Sequence, residues 1–265
     1  KPVSKHTVKT IQAMRDNNEI ITMLTAYDYP TAKKVNDAGI DMILVGDSCA
    51  MVVHGHPNTL TATMDMMVLH CAAVARACDR TMVIADMPFG SFQYSIEDTM
   101  KNAARFITEA KVDGVKFEAT PHHIEKTKAI VEMGIAVVGH VGLHPQAVGA
   151  LGGLTVQGKS VDTARKVVRE ALALQEAGAF AIIFEAVPAK LSDYVTRKLD
   201  VPTISIGGGP YCSGQLLVTP DVLGMYDNFT PSFAKQYQKF GEVMIDTFKQ
   251  YKEEVLNGTF PGEEH

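Results

Sequence analysis

The chain has 265 residues, 46% of them hydrophobic, which is enough to bury one large core. Its formal net charge of −5 gives no basic surface for nucleic acid, so a nucleic-acid-binding protein is excluded. The longest apolar runs stay far below the ~20 residues that cross a bilayer, which excludes a membrane-spanning protein.

The cysteines and the first residues bear on the compartment. Cys49, Cys71, Cys78 and Cys212 form no CxxC pair, which predicts reduced thiols rather than a disulfide framework or a zinc knuckle. The first residues lack the apolar core of a secretory signal, so we expect a cytoplasmic protein. The chain begins with Lys1 instead of Met, and removal of an organelle transit peptide is the alternative.

In chain order, short β-branched or apolar runs alternate with longer stretches of helical period. Each run is short enough for a strand that is buried on both faces of a parallel sheet. About eight such units in this length predict a closed (β/α)8 TIM barrel, formed by residues 1–265 as a single domain. The predicted strands are Ile20–Ala26, Met42–Gly46, Met82–Ala85, Gly114–Phe117, Ala136–Gly139, Phe180–Phe184, Thr203–Ile206 and Leu216–Val218.

The stretches between these runs include clear helix signals. Ser95–Lys111 begins with Ser95 three residues before Asp98, which resembles a capping box with Asp in place of Glu or Gln. Three further helices are predicted from the period of their apolar residues and from the glycines that follow two of them. These helices are His123–Met133, Ser160–Ala177 and Phe233–Asn257.

Ionisable or hydroxyl side chains fall at the ends of five successive predicted strands. Because a TIM barrel carries its chemistry at the C-terminal ends of the strands, we expect these side chains to converge on one mouth. One such residue alone is as readily a helix cap or turn former as a functional group, but charges at five strand ends are hard to explain as caps. The residues are Asp47, Ser48, Asp86, Lys116, Glu118, His140 and Glu185.

The acids at these strand ends predict a metal site. Asp47, Asp86 and Glu118 offer only oxygen atoms, and a cation would offset their mutual repulsion. Oxygen donors favour Mg²⁺ over Zn²⁺, and Mg²⁺ uses few carboxylates, which leaves positions open for substrate. Lys116 and Glu118 alternate along a strand, so both point to one side, with Phe117 opposite. Lys116 is therefore expected to pair with a substrate carboxylate beside the metal.

Several features stay open on sequence grounds. His140 is either a satisfied core histidine or part of the site. The His54–Asn58 loop is interpreted as functional without an assigned role, whereas His70 and His144 are interpreted as surface or packing residues. The glycine run Gly207–Gly209 is either a phosphate-binding turn or a tight turn beside a ligand.

A series of segments in order along the chain matches one known enzyme family. The segments are Thr25–Asp28, Leu44–Ser48, Ala85–Phe89, Val115–Glu118, Gly139–Gln146, Phe184–Pro188, Ser205–Gly209 and Phe260–His265. Through them the chain resembles the ketopantoate hydroxymethyltransferase (3-methyl-2-oxobutanoate hydroxymethyltransferase) family. The family usually has Pro at Thr61, Ala at Gly208, Asp at Ser213 and Lys at Ser232, and these departures concern the folate side and subunit contacts more than the chemistry.

The resemblance implies a (β/α)8 barrel that uses Mg²⁺ and 5,10-methylenetetrahydrofolate to add a hydroxymethyl group to 3-methyl-2-oxobutanoate. The product would be 2-dehydropantoate (ketopantoate), for pantothenate and coenzyme A biosynthesis. The resemblance also implies a homo-oligomer, usually a decamer. It places Asp47, Asp86 and Glu118 at the metal, Asp47, Ser48, Asp86, Lys116 and His140 at the keto acid, and Glu185 as the proton acceptor.

Two other functions are weighed against this one. A Mg²⁺-dependent keto-acid C–C lyase or mutase of the isocitrate lyase and phosphoenolpyruvate mutase group would also place carboxylates at the barrel mouth. The nucleophilic Cys motif of that group is not evident in this sequence. A non-catalytic binding or assembly barrel is the third function, and the intact set of charged strand-end residues argues against it. A turnover assay separates a non-catalytic barrel from an enzyme.

Overall fold

The computed structural model describes residues 4–118, 120–147, 156–226 and 228–265. The chain divides into two compact units, Lys1–Leu217 and Val218–His265. The described strands all lie in the first unit, and so do the predicted site residues. A single domain over residues 1–265 stays a prediction.

Parallel strands form a closed ring in the first unit. They are β1 (Ile21–Thr25), β2 (Met42–Val45), β3 (Met82–Asp86), β4 (Gly114–Lys116), β5 (Ala136–Gly142), β6 (Ala181–Glu185), β7 (Thr203–Ile206) and β8 (Gly214–Leu217). Each strand pairs with the next, and β1 closes the ring on β8 from the pair Ile21–Gly214 onward. The closed parallel ring with intervening helices confirms the predicted (β/α)8 barrel.

Helices follow most of the strands. The described helices of the first unit are α1 (Val8–Asp16), α2 (Tyr29–Asp37), α3 (Cys49–Val52), α4 (Met64–Ala77), α5 (Ile96–Thr108), α6 (Ile124–Glu132), α7 (Val161–Glu176) and α8 (Ala189–Thr196). The second unit contains α9 (Thr219–Leu223) and α10 (Phe240–Asn257). Within the described ranges, no helix combines the length and apolar composition needed to cross a membrane.

The alternation of side chains along each strand decides what reaches the barrel axis. On β3, Met82 and Ile84 belong to the apolar cluster inside the barrel, whereas Val83 and Ala85 belong to the layer between strands and helices. Asp86 is the next inward position after Ile84. The same alternation gives inward positions near the ends of β4, β5 and β6 to Lys116, His140 and Glu185.

Strand β5 is longer than predicted. The sequence indicated an end at Gly139, but the strand runs to Gly142 and pairs there with Glu185 on β6. At Gly139 a Cβ atom would lie 2.9 Å from Leu174 Cδ1, so this glycine allows α7 to approach the strand and does not end it. His140 therefore lies inside the strand, and its prediction as a residue at the strand end was wrong by two positions.

Two helix predictions are corrected in detail. Ser95 caps α5 by accepting a hydrogen bond from the Asp98 N–H (3.0 Å), but its hydroxyl also bonds to the Asp98 carboxylate (2.8 Å). That carboxylate thus contacts the Ser95 side chain, whereas a capping box would bring it to the backbone.

In the second unit, α10 begins at Phe240 and not at Phe233. The Tyr237 N–H donates to the Val222 carbonyl (2.8 Å), so this segment hydrogen-bonds to α9 before α10 starts.

Candidate active site

Asp86 contacts predicted site residues from the strands on both sides of β3. It ends β3 and is 2% exposed. The Lys116 ammonium, at the end of β4, donates to Asp86 Oδ1 at 2.9 Å. The N–H of Asp47, which follows β2, donates to the other oxygen, Asp86 Oδ2, at 3.2 Å. Three of the predicted site residues are therefore in direct contact.

Lys116 is buried and remains charged. Burial by itself lowers the pKa of an ammonium, but the carboxylates of Asp86, Asp47 and Glu118 outweigh it and raise the pKa of Lys116. In this structure the charge of Lys116 is matched by Asp86. Its predicted pairing with a substrate carboxylate stays a prediction.

Gln146 connects two acids and was missed by the sequence reasoning. Its side-chain Nε2 donates to Asp47 Oδ2 (2.9 Å) and to the Met87 carbonyl (3.0 Å). Its backbone N–H donates to Glu118 Oε1 (3.1 Å). An uncharged side chain in the loop after β5 leaves no mark in a charge pattern, and its place in the matching Gly139–Gln146 segment was the available signal.

The acids would carry more negative charge than the site balances if all of them were ionised. Burial raises the pKa of Asp47 to about 7, and repulsion from Asp86 adds to the rise. Burial likewise raises the pKa of Glu118 well above its usual range. If Asp47, Asp86, Glu118 and Glu185 were all ionised, the Lys116 ammonium would offset one of four negative charges. The cluster therefore favours an added cation.

His140 and Glu185 form the second part of the site. Glu185 ends β6, and its side chain is 20% exposed; His140 is fully buried. The His140 Nε2 and Glu185 Oε2 atoms lie 3.0 Å apart, but neither ring nitrogen makes a well-directed hydrogen bond to a described residue. Burial raises the pKa of Glu185 to about 7 and lowers that of His140 well below its usual range. Glu185 is thus the stronger base of the pair.

His144 lies directly behind His140. The rings meet edge to face with their centroids 5.2 Å apart, and His144 Nε2 lies 3.1 Å from the His140 carbonyl oxygen. Burial and the neighbouring His140 lower the pKa of His144 to about 3, so the ring is neutral near pH 7. Its interpretation as a packing residue holds, and the sequence did not show that it packs against the site.

Ser48 is held from the side of β1. Its Oγ lies 2.8 Å from the Tyr27 hydroxyl. The Tyr27 carbonyl oxygen in turn lies 2.6 Å from His70 Nδ1, and His70 Nε2 lies 2.9 Å from His54 Nε2. His70 therefore links α4 to the segment after β1, and the His54–Asn58 loop meets the barrel through it.

The glycine turn after β7 bears on one alternative that the sequence left open. The N–H of Gly208 donates to Ser205 Oγ at 2.9 Å, while Gly207 and Gly209 have positive φ angles of 71° and 82°. An N–H that is already bonded inside the turn favours the tight-turn interpretation over a phosphate cradle. Ser213 is another departure from the family pattern. Its Oγ accepts a hydrogen bond from the Thr203 N–H (3.3 Å), near the start of the strands.

The donor set fits a hard divalent cation. Among the described residues, no three His, Cys, Asp or Glu side chains are arranged to hold a metal ion by themselves. Asp47 and Asp86 are nevertheless adjacent, offer only oxygen atoms and lie in an acid-rich buried cluster. Mg²⁺ is commonly held by one or two carboxylates with water and substrate oxygens completing its shell.

Comparison with known proteins identifies relatives across the whole barrel. The family model for ketopantoate hydroxymethyltransferase matches residues 5–263. The 3-methyl-2-oxobutanoate hydroxymethyltransferase of Acetivibrio thermocellus is 48% identical, over 98% of this chain and 92% of the relative. That of Enterococcus faecalis is also 48% identical, over 98% and 95%. A relative from Oryza sativa subsp. japonica, whose name includes the word mitochondrial, is 49% identical over 98% and 73%.

Solved structures share the fold at low identity. A phosphonopyruvate hydrolase complexed with oxalate and Mg²⁺ has a TM-score of 0.62 and 14% identity, over 98% of this chain and 93% of its own. A 2,3-dimethylmalate lyase of the PEP mutase/isocitrate lyase superfamily has a TM-score of 0.61 and 14% identity, over 96% and 89%. These similarities support the barrel and not a lyase or mutase activity. Because the family model and relatives near 48% identity cover almost its whole length, the chain belongs to the ketopantoate hydroxymethyltransferase family.

Proposed function

We propose that the barrel mouth transfers a hydroxymethyl group from 5,10-methylenetetrahydrofolate to 3-methyl-2-oxobutanoate, giving 2-dehydropantoate (ketopantoate). This would be the first step of pantothenate and coenzyme A biosynthesis. The names of the relatives support this reaction. The observation that carries it is Glu185, a raised-pKa carboxylate on the same inner barrel wall as the Asp47–Asp86–Lys116 cluster.

The keto acid would lie over this cluster. Lys116 and the hydroxyl of Ser48 would bind its carboxylate and keto oxygens, and the inward ring of His140 would border it. Asp47 and Asp86 would hold Mg²⁺, with Glu118 completing the shell directly or through water. When bound, the ion would supply positive charge where the enolate develops negative charge.

Glu185 would remove the proton from C3 of the keto acid. Its partly desolvated carboxylate is more basic than a free one, as a general base near neutral pH requires. The enolate carbon then forms a bond to the methylene carbon of the donor, whose bonds from that carbon to nitrogen break. Water supplies the new hydroxyl group and one proton, the proton held by Glu185 supplies the second, and tetrahydrofolate leaves with an N–H group restored at each of the two nitrogens. His140 is a poorer base, because burial and Lys116 lower its pKa.

The direct test is product formation. Purified protein with Mg²⁺, 3-methyl-2-oxobutanoate and 5,10-methylenetetrahydrofolate should form ketopantoate, detected by chromatography. Omission of either substrate should abolish the product. If no ketopantoate forms from the complete mixture while the protein is folded, the proposed reaction is wrong.

Lys116 is expected to contribute strongly to keto-acid binding. Lys116→Met keeps the volume of the side chain and removes its charge. Losing a charge-assisted contact in a buried site costs about 2–5 kcal/mol, so the Kd for 3-methyl-2-oxobutanoate should rise at least about thirtyfold. Titration calorimetry with Mg²⁺ present measures it. The exposed Lys128→Met, on α6, is the control. An unchanged Kd in the Lys116 variant would assign Lys116 to structure alone, through Asp86.

Self-association is expected through α10. None of its described side chains is buried, and an apolar stripe runs along it. We propose a homo-oligomer, with a decamer as the resemblance implies. Sedimentation velocity at micromolar concentration should show assemblies larger than a monomer, and Phe248→Asp should weaken them while Lys249→Glu should not. Monomer alone in the unaltered protein would contradict this. The stripe consists of Phe240, Met244, Phe248, Tyr251 and Val255.

A cytoplasmic location also stays a proposal. The cysteines Cys49, Cys71, Cys78 and Cys212 are free and buried, which agrees with a reducing compartment. The rice relative carries a mitochondrial name, so fractionation of cells that express the protein from its natural gene is the measurement that separates the two locations.

A further inference from the structure

A buried lysine that the proposed chemistry does not use lies on α6. Lys126 is 7% exposed, and burial lowers the pKa of its ammonium. No carboxylate among the described residues offsets that effect. Because a lysine is rarely buried unless it is paired, the groups that Lys126 does contact should explain why it lies there.

The ammonium of Lys126 bridges two backbone carbonyls of the loop between β3 and α5. It donates to the carbonyl oxygens of Phe92 (2.6 Å) and Tyr94 (3.2 Å). The Phe92 carbonyl also accepts a longer bond from the Thr99 hydroxyl (3.3 Å). Charged donors make stronger hydrogen bonds than neutral ones. The two carbonyls belong to the residues on either side of Gln93, so Lys126 fixes the backbone around that residue.

The side chain of Gln93 connects this loop to the acids of the barrel mouth. Its Oε1 accepts hydrogen bonds from the N–H groups of Gly90 (2.7 Å) and Phe92 (3.3 Å) in the same loop. Its Nε2 is therefore turned toward Gln146, whose Oε1 lies 3.4 Å away. The Gln146 Nε2 in turn donates to Asp47 Oδ2 at 2.9 Å. One series of hydrogen bonds thus runs from the loop to a proposed metal ligand.

We propose that Lys126 is a positioning residue for the metal site, because it holds Gln93 in the orientation that directs Gln146 toward Asp47. The inference rests on the proposed function, since it takes Asp47 as a Mg²⁺ ligand. Groups that orient a metal ligand without touching the metal typically change metal affinity by about 10–100-fold when they are removed. The rival role is structural, in which Lys126 stabilises the loop and leaves Mg²⁺ binding unchanged.

Calorimetric titration with Mg²⁺ tests this role without turnover. Lys126→Met removes the donor and keeps the unbranched stem, and the Kd for Mg²⁺ should rise about tenfold. Lys126→Gln is too short to reach both carbonyls and serves the same purpose if the Met variant does not fold. Gln93→Leu leaves Lys126 in place and should raise the Kd by a similar factor. Lys128→Met, exposed on the same helix, is the control and should leave the Kd unchanged.

The double variant separates positioning from a structural role. If Lys126 acts through Gln93, adding Lys126→Met to Gln93→Leu should raise the Kd no further. Independent rises that multiply in the double variant would overturn the inference, and so would an unchanged Kd in either folded single variant.

Hydrogen exchange gives a second readout on the metal-free protein. The Gly90 N–H, which bonds to the Gln93 side chain, should exchange faster in Lys126→Met. Exchange at the unaltered rate would contradict the proposed link between Lys126 and Gln93.

The unaltered protein distinguishes failure of this inference from failure of the proposed function. If it does not bind Mg²⁺, the metal site is wrong and the inference falls with it. If it binds Mg²⁺ and the Lys126 and Gln93 variants bind equally well, only the inference is wrong. Neither measurement requires formation of ketopantoate.

Discussion

Glu185→Gln should leave a folded protein that binds Mg²⁺ and 3-methyl-2-oxobutanoate but exchanges the C3 proton of the keto acid at least about a hundredfold more slowly. Gln keeps the size of the side chain and an accepting oxygen, so packing against β5 and the neighbouring His140 should persist. It cannot take a proton. Because burial raises the pKa of Glu185 to about 7, removing its charge should not weaken the fold near neutral pH.

The measurement is proton NMR of the keto acid in D₂O with Mg²⁺ and no folate. Glu176→Gln, at the exposed end of α7, is the control and should exchange at the rate of the unaltered protein. Exchange at that rate in the Glu185 variant would remove Glu185 from the role. The role would then pass to His140, whose Nε2 lies 3.0 Å from Glu185 Oε2.

Asp47→Asn should have opposite effects on metal binding and on stability. Asp47 is a proposed ligand, so Mg²⁺ binding and Mg²⁺-dependent exchange should be lost. Yet the metal-free protein should become more stable at pH 7, by on the order of 2 kcal/mol, because a buried carboxylate beside Asp86 is replaced by a neutral amide. The amide keeps an oxygen that can accept from Gln146.

The raised pKa of Asp47 also predicts how the stability of the metal-free protein changes with pH. The pKa of Asp47 rises from 3.8 to about 7 on folding, so the folded state holds the proton more tightly than the unfolded state. The contribution of Asp47 therefore lowers the free energy of unfolding as pH rises from about 4 to about 7. Urea unfolding without metal measures this free energy at pH 5 and at pH 7. Between the two pH values it should fall less in Asp47→Asn than in the unaltered protein.

Addition of Mg²⁺ completes this test. Because Mg²⁺ would bind the folded state alone, it should stabilise the unaltered protein increasingly as its concentration rises above Kd, and it should not stabilise Asp47→Asn. Asp86→Asn should also lose Mg²⁺ binding. Asp86→Ala is a poorer probe, because it leaves the Lys116 ammonium buried without a partner, and breaking such a pair costs about 3–5 kcal/mol. Full Mg²⁺-dependent activity in either Asn variant would contradict the metal site.

The barrel and the positions of its charged residues followed from the sequence because both depend on local periodicity. Runs of strand length gave the eight strands, and the two-residue alternation places Asp86, Lys116, His140 and Glu185 on the inner wall. The alternation also predicted Phe117 opposite Lys116, where it packs under the helices. Patterns of this kind depend only on residues that are close together in the sequence.

Contacts between distant segments could not be predicted in this way. The Lys116–Asp86 pair joins adjacent strands 30 residues apart, and Gln146 bonds to Asp47 across 99 residues. At Gly139, where the sequence indicated the end of β5, the missing side chain leaves room for Leu174 of α7. From the sequence alone a glycine indicates a strand end, and only the structure shows which residue packs against it. The sequence therefore located the acids of the site better than it located the groups that hold them.

The central claim is tested most directly by C3 proton exchange in the unaltered protein. With Mg²⁺ in D₂O and no folate, 3-methyl-2-oxobutanoate should lose its C3 proton signal at a rate proportional to enzyme concentration, and a chelator should stop the exchange. Pyruvate, which lacks the isopropyl group, should exchange more slowly. No enzyme-dependent exchange of 3-methyl-2-oxobutanoate, or exchange that persists undiminished with chelator, would contradict a Mg²⁺-assisted enolate at this barrel mouth.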